Sequence, residues 1–270
     1  LIFCSLRSAI SFSATLCLTS DGWIEEKQGA AACAHACRAF FEPRFVGGAV
    51  WHSPAGDGAA CVGPVCRGAF DGGADEVIVA DMHGASLNLL AEQLDSRAKL
   101  FAGAPRSPRF PFLDETVSGM ALIGYHAKAG TEGGNLEHTM SSKGWFKYCV
   151  NGVPYGEASI DAEIAAWCGV PVVMASGDNY LCAEVKEMLG EQVETAQVKI
   201  GLGRQAALSL SPNEGQSRVY AAMKRACERL VNGEHFALAQ KNTPVAVQTT
   251  YKFTPDADAA MDVCKAFNDA

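Results

Sequence analysis

Several short runs in this chain are almost wholly apolar. "EVIVA" (76–80), "GMALI" (119–123) and "VPVVMAS" (170–176) show none of the apolar–polar alternation of a sheet with one wet face. Strands of this kind are buried on both sides, and a two-sided sheet needs helices to cover each face. Helical patterns do lie between them. "GAACVGPVCRGAFDGGA" (58–74) places small and apolar residues at helical spacing and closes on a glycine pair. "ASIDAEIAAWCG" reads as an amphipathic helix opened by Glu157, followed by a helix over 181–190, the strand "VETAQVKI", the long helix "SRVYAAMKRACERLVNG" and the strand "VAVQTTYKF". This alternation makes the chain an α/β protein. Within "WFKYCVNGVPYGE", Asn151-Gly152 between two β-rich runs is a strong two-residue hairpin signal.

The 270 residues suffice for one large or two modest domains. Residues 1–55 fit the strand–helix rhythm poorly and read as an atypical N-terminal segment, with the α/β domain running over 56–270. A net charge of −8 without any Lys/Arg block argues against a nucleic-acid partner. The apolar start "LIFCSLRSAISFSATLCLTS" is too interrupted by Arg7 and serines to cross a membrane, and no intact export signal is visible, so a cytoplasmic location is expected. Without an initiator Met, an incomplete or altered N-terminus is expected too. Of the eleven cysteines, six fall irregularly within the first 66 residues. Cys33 and Cys37 flank His35 but lack a second pair in register, so zinc-knuckle spacing is weak and reduced, inert thiols are the simpler reading.

Chemistry is to be sought where the buried strands end, because open α/β sheets bind ligands beyond the carboxyl ends of their strands. His83 follows "EVIVADM" and His126 ends "GMALIGYH". Either alone is ordinarily a hydrogen-bonded structural histidine, but two at equivalent ends would face one crevice. Glu157 stands at a helix N-terminus, where it complements the helix dipole. Taken with the two imidazoles it also matches the nitrogen and carboxylate donors that zinc prefers. A metal so held would bring the pKa of bound water to about 7 and polarise a carbonyl. Asp81 is placed to steady His83. His138, after the Gly-rich loop 130–134, lies outside any apolar pattern. It is either a solvated loop histidine or an acid–base or nucleophilic group. "GLGR" (201–204) lacks the third glycine and ribose-binding acid of a dinucleotide fingerprint, no Gly-x-Ser-x-Gly elbow occurs, and His52 and His235 have no partner.

The motifs "EVIVADMHG", "ALIGYHAKAGTEGGNLEHTM", "VNGVPYGEASIDAEIAAWCGVPVVMASGD" and "GLGRQAALSLSP", in this order, resemble the zinc-dependent D-aminopeptidase family over about residues 58–253. The resemblance implies a three-layer α/β/α fold with a mixed, mostly parallel sheet, a two-zinc centre, removal of N-terminal D-amino acids from short peptides, and a ring-like homo-oligomer. By the same resemblance His83 would bind one metal, His126 and Glu157 the other, and His138 would be catalytic. The family's opening Asp-x-Glu-Gly is absent. Asp21 in "LCLTSDGWIEE" could match the aspartate, but Trp23 then stands where the glutamate belongs. The C-terminal helix "DADAAMDVCKAFNDA" is expected to be cut short. Two other readings follow: a catalytically degenerate member that binds peptide or metal, and a metal-free amidohydrolase with a cysteine nucleophile.

Overall fold

The computed structural model describes residues 2–5, 57–84, 86–103 and 108–268. Asp21, Trp23, Cys33, His35, Cys37 and His52 lie outside them. The described chain runs β1 (Ile2–Ser5), α1 (Asp57–Asp71), β2 (Glu76–Ala80), β3 (Lys99–Phe101), β4 (Gly119–Leu122), β5 (Trp145–Val150), β6 (Val153–Pro154), α2 (Glu157–Trp167), β7 (Val172–Asp178), α3 (Asn179–Leu189), β8 (Glu194–Gly203), β9 (Ala206–Ser209), α4 (Pro212–Val231), β10 (Val247–Tyr251) and α5 (Thr254–Asn268).

The main sheet has the order β3-β2-β1-β4-β7-β8-β9. Strands β2/β3, β4/β7 and β7/β8 pair in parallel. Strand β1 is antiparallel to both β2 and β4, and β9 is antiparallel to β8. The sheet is therefore mixed and mostly parallel. One face carries α1 and α4, whose Val65, Ala69, Val219 and Met223 pack on Val77, Ala121 and Val173. The other carries α2 and α3, with Ala162, Leu181 and Val185 packed on Met120, Leu122 and Ala175. The expected three-layer α/β/α arrangement follows, and β7 is buried at every residue because both layers close over it.

A second, antiparallel sheet of order β10-β5-β6 lies apart from the first. The Asn151-Gly152 turn is confirmed, with both residues at positive φ (49° and 82°), as a type I′ turn requires. Pro154, which cannot donate to a ladder, sits in the edge strand β6.

Three expectations need correction. The apolar run into His126 ends as a strand at Leu122, because Gly124 turns to φ 70° while its N–H goes to Ser176 Oγ (3.0 Å) and the Tyr125 N–H to Ser176 O (3.1 Å). His126 consequently belongs to the loop beyond the sheet. Helix α2 is not amphipathic. Eight of its eleven residues are buried, Asp161 and Glu163 among them. Helix α4 begins five residues earlier than 217, capped by Ser211 Oγ on the Glu214 N–H (3.4 Å) with Pro212 in its first turn. No helix among the described residues is long and apolar enough to cross a membrane.

Candidate metal centre

Three chain segments meet beyond the carboxyl end of β4. The first is 125–129, leaving the sheet at Gly124. The second is the loop 130–140, and the third is the Tyr155–Glu157 entry to α2. Backbone and hydroxyl contacts knit them together: His138 N–H to Ala127 O (3.3 Å), Ala129 N–H to Thr139 Oγ1 (3.2 Å), and Thr139 Oγ1 to Tyr155 O (3.0 Å). Thr139 is wholly buried at this junction.

Into the junction project His126, His138 and Glu157, the three residues among those described whose donor atoms lie within 4.8 Å of one another. The two rings stack, with centroids 3.8 Å apart. Each Nε2 stands 3.5 Å from the same Glu157 Oε1. Their other nitrogens are committed: His126 Nδ1 lies 3.1 Å from Ala127 O and His138 Nδ1 2.7 Å from Leu136 O. A carbonyl only accepts, so each Nδ1 carries the proton and each Nε2 presents a lone pair. Two imidazole lone pairs and a carboxylate oxygen thus face one another, an arrangement that is repulsive unless a cation or a proton joins them. Burial favours the neutral, ligating form of His126 and holds it below the ordinary histidine range, against the opposing pull of Glu157.

Glu157 owes its place to the first turn of α2 and to the Met140 N–H, which donates to Oε1 at 2.9 Å. The preceding Gly156 allows the close approach. A Cβ there would lie 2.9 Å from Lys128 Cβ and 2.7 Å from Glu184 Oε1. One turn further on, the fully buried Asp161 accepts Arg109 Nε (2.6 Å), Arg109 Nη2 (3.0 Å) and the Tyr125 hydroxyl (2.6 Å). Burial and the adjacent carboxylate push the Tyr125 phenol well above its usual value, so it remains a donor. Tyr125 precedes His126, and Asp161 follows Glu157 by four residues, so the Tyr125–Asp161 hydrogen bond ties two of the three donors to one another while Arg109 neutralises the acid.

His83 is not brought into the cluster. It is exposed in the turn after β2, at the same end of the sheet as His126, because β2 and β4 both run against β1. Asp81 steadies it through the backbone: its carboxylate takes N–H groups from His83 (3.3 Å), Asn88 (2.5 Å) and Leu89 (3.0 Å), and the Asn88 side chain (3.0 Å). Burial alone would raise the Asp81 pKa. These bonds outweigh it and hold the carboxyl below its usual value. His235, after α4 in sequence, is exposed, and Cys61, Cys66, Cys149, Cys168, Cys182, Cys227 and Cys264 are in no disulfide. Burial pushes the Cys66 and Cys182 thiols up to about 11, the reverse of what a nucleophile needs.

Sequence reasoning missed Arg109, Asp161 and Tyr125. The signal available was an acid in the middle of the apolar helix "ASIDAEIAA", which must find a buried cation.

Comparison with known proteins places the chain in a family. The D-aminopeptidase family model, Peptidase_M55, matches residues 59–266. A D-aminopeptidase of Bacillus subtilis (strain 168) is 37% identical over 149 residues, covering 53% of this chain and 52% of that protein. The chain thus spans about half the length of that curated relative. A solved structure, the Zn-dependent D-aminopeptidase DppA from Bacillus subtilis, described as a self-compartmentalizing protease, superposes with a TM-score of 0.67 at 27% identity, over 74% of this chain and 71% of that one.

Proposed function

Since the chain belongs to the M55 D-aminopeptidase family, we propose that it is a zinc-dependent aminopeptidase that removes N-terminal D-amino acids from short peptides. The observation that carries this reading is the meeting of two Nε2 lone pairs with one Glu157 oxygen, an electrostatic conflict that a dication on His126 and Glu157 would relieve while leaving His138 unligated. His126 and Glu157 are assigned to one zinc and His83, after β2 and separated from β4 by β1, to a second. When bound, zinc supplies a Lewis acid for the scissile carbonyl and brings a coordinated water toward a pKa of about 7.

His138 is assigned the proton work. Its Nε2 lone pair is free to take a proton from the attacking water, and the resulting imidazolium can return it to the departing amine nitrogen as the C–N bond breaks. The Leu136 carbonyl fixes the tautomer that makes this possible. Glu157 and the two rings are half-buried.

The proposed assembly is a homo-oligomer and the proposed location cytoplasmic. Exposed Ile200, Leu202 and Leu208 on the β8–β9 hairpin, together with the self-compartmentalizing relative, support the former; the free thiols suit a reducing compartment. Zinc-loaded protein is expected to release D-Ala from a D-Ala peptide, to leave the L-Ala counterpart intact, and to lose and regain activity on chelation and zinc return. Less than one zinc per chain together with no D-Ala release overturns the reading. Light scattering at the mass of a single 28.5 kDa chain overturns the assembly, and a processed form recovered only from the export pathway overturns the location. The degenerate-member reading rests on Trp23 and would show as zinc bound without turnover.

A further inference from the structure

We infer that the β8–β9 hairpin is a clamp that sets the position of His138, with Arg204 as its positioning residue. The inference rests on the catalytic assignment of His138 above. It also accounts for "GLGR", which carries no cofactor signature.

The loop that bears His138 has no regular structure, and Leu136 within it is held at φ 55°, a conformation that a side-chain-bearing residue keeps only when its surroundings impose it. Arg204 imposes it from two sides. Its carbonyl accepts the Leu136 N–H at 2.8 Å and the Asn135 side-chain amide at 3.4 Å. Its guanidinium donates to the Glu137 carbonyl and to Glu137 Oε1, the latter at 2.6 Å. Glu137 Oε2 then takes the Gly130 N–H at 2.7 Å, closing the loop on itself.

Leu136 is the link that matters. Its N–H is fixed by Arg204 O while its own carbonyl accepts from His138 Nδ1 at 2.7 Å. A single residue therefore passes the position of the hairpin to the orientation of the imidazole. Lys199 Nζ adds a grip on Asn135 Oδ1 at 2.8 Å, and Asp178 Oδ2 holds the Asn135 N–H at 2.8 Å. Gly201 lets β8 press against this loop: a Cβ there would stand 2.9 Å from Asp178 Oδ2 and 3.1 Å from the Asn135 nitrogen.

The Arg204–Glu137 pair is partly exposed, 39% and 17% for the two side chains, so it contributes little to global stability. Arg204→Ala keeps the Arg204 carbonyl but releases Glu137, the residue between Leu136 and His138, so the loss is expected to act on geometry instead. In zinc-loaded full-length protein, Arg204→Ala should lower kcat by roughly 10- to 100-fold at unchanged KM, zinc content and Tm, the penalty of a misplaced reacting group. Arg204→Lys should recover most of the rate. Glu137→Ala should reproduce the loss, and the double variant should be no worse than the poorer single one, because the two act as a unit.

A readout independent of turnover is the histidine Nδ1–H signal of 15N-histidine-labelled, metal-free protein. The His138 signal is expected to shift or broaden in Arg204→Ala while that of His126 stays in place. An unmoved His138 signal, an unchanged kcat, or a kcat loss accompanied by a fall in Tm overturns the clamp. If the parent protein proves inactive, the function proposed above fails, and the imidazole signal still decides the inference.

Discussion

Substitution of Asp161 by alanine is expected to destabilise the protein by roughly 3–5 kcal/mol, the cost of leaving one buried charge without its partner. For a chain of this size that lowers Tm by on the order of 10 °C. Arg109 is 14% exposed and Asp161 not at all, so no water replaces the lost carboxylate. The Tyr125 hydroxyl loses its acceptor at the same time. Replacing the pair together, as Arg109→Met with Asp161→Leu, should recover most of the loss, because two well-packed apolar side chains need no partner. Adding Tyr125→Phe should recover a further increment, since it removes the orphaned hydroxyl. Thermal melts of the four proteins provide the check. An Asp161→Ala protein melting within about 2 °C of the parent would mean that Arg109 finds solvent or another acid, and that the ion pair does not hold α2 in place.

The second large effect falls on activity. His138→Ala is expected to lower kcat by about 10²- to 10⁴-fold, the usual contribution of a positioned acid–base group, while zinc content stays at the parent level. Metal analysis beside steady-state kinetics separates the two roles the geometry offers. If zinc is lost in parallel with turnover, His138 is a ligand and the proton carrier lies elsewhere. His126→Ala is the internal comparison, since there zinc and activity should vanish together.

Much of this molecule could be read before any coordinates were known, for identifiable reasons. Unbroken apolar runs required a two-sided cover, and the two layers are where they had to be. Asn151-Gly152 specified its turn because both residues tolerate positive φ. His126 is legible because it closes an apolar run, Glu157 because it is a carboxylate at a helix N-terminus, and His138 because no apolar pattern accounts for it. Other features left no local trace. Strand β1 pairs with β2 and β4 across more than seventy and one hundred residues, and nothing in "IFCS" announces a central strand running the opposite way. Strand β10 reads like any other strand, and only its cross-strand partners assign it to the smaller sheet. The role of Arg204 could not be foreseen, because it acts through the backbone of a loop 67 residues away.

Helix α2 has a consequence that reaches beyond its contacts. Glu157, Asp161 and Glu163 occupy three of its first seven positions, and each is locked to a different element: Met140, Arg109 with Tyr125, and Asn242, whose N–H reaches Glu163 at 2.6 Å. Sliding or rotating the helix by one residue would break all three at once, so this wall of the site offers natural variation no small step. In the loop 130–137, by contrast, Asn135 and Glu137 are held through their side chains whereas Glu132 and Leu136 are exposed. Lineages diverging toward new peptides should therefore accumulate their changes at 132 and 136 and leave Asn135, Glu137 and 157–163 nearly untouched.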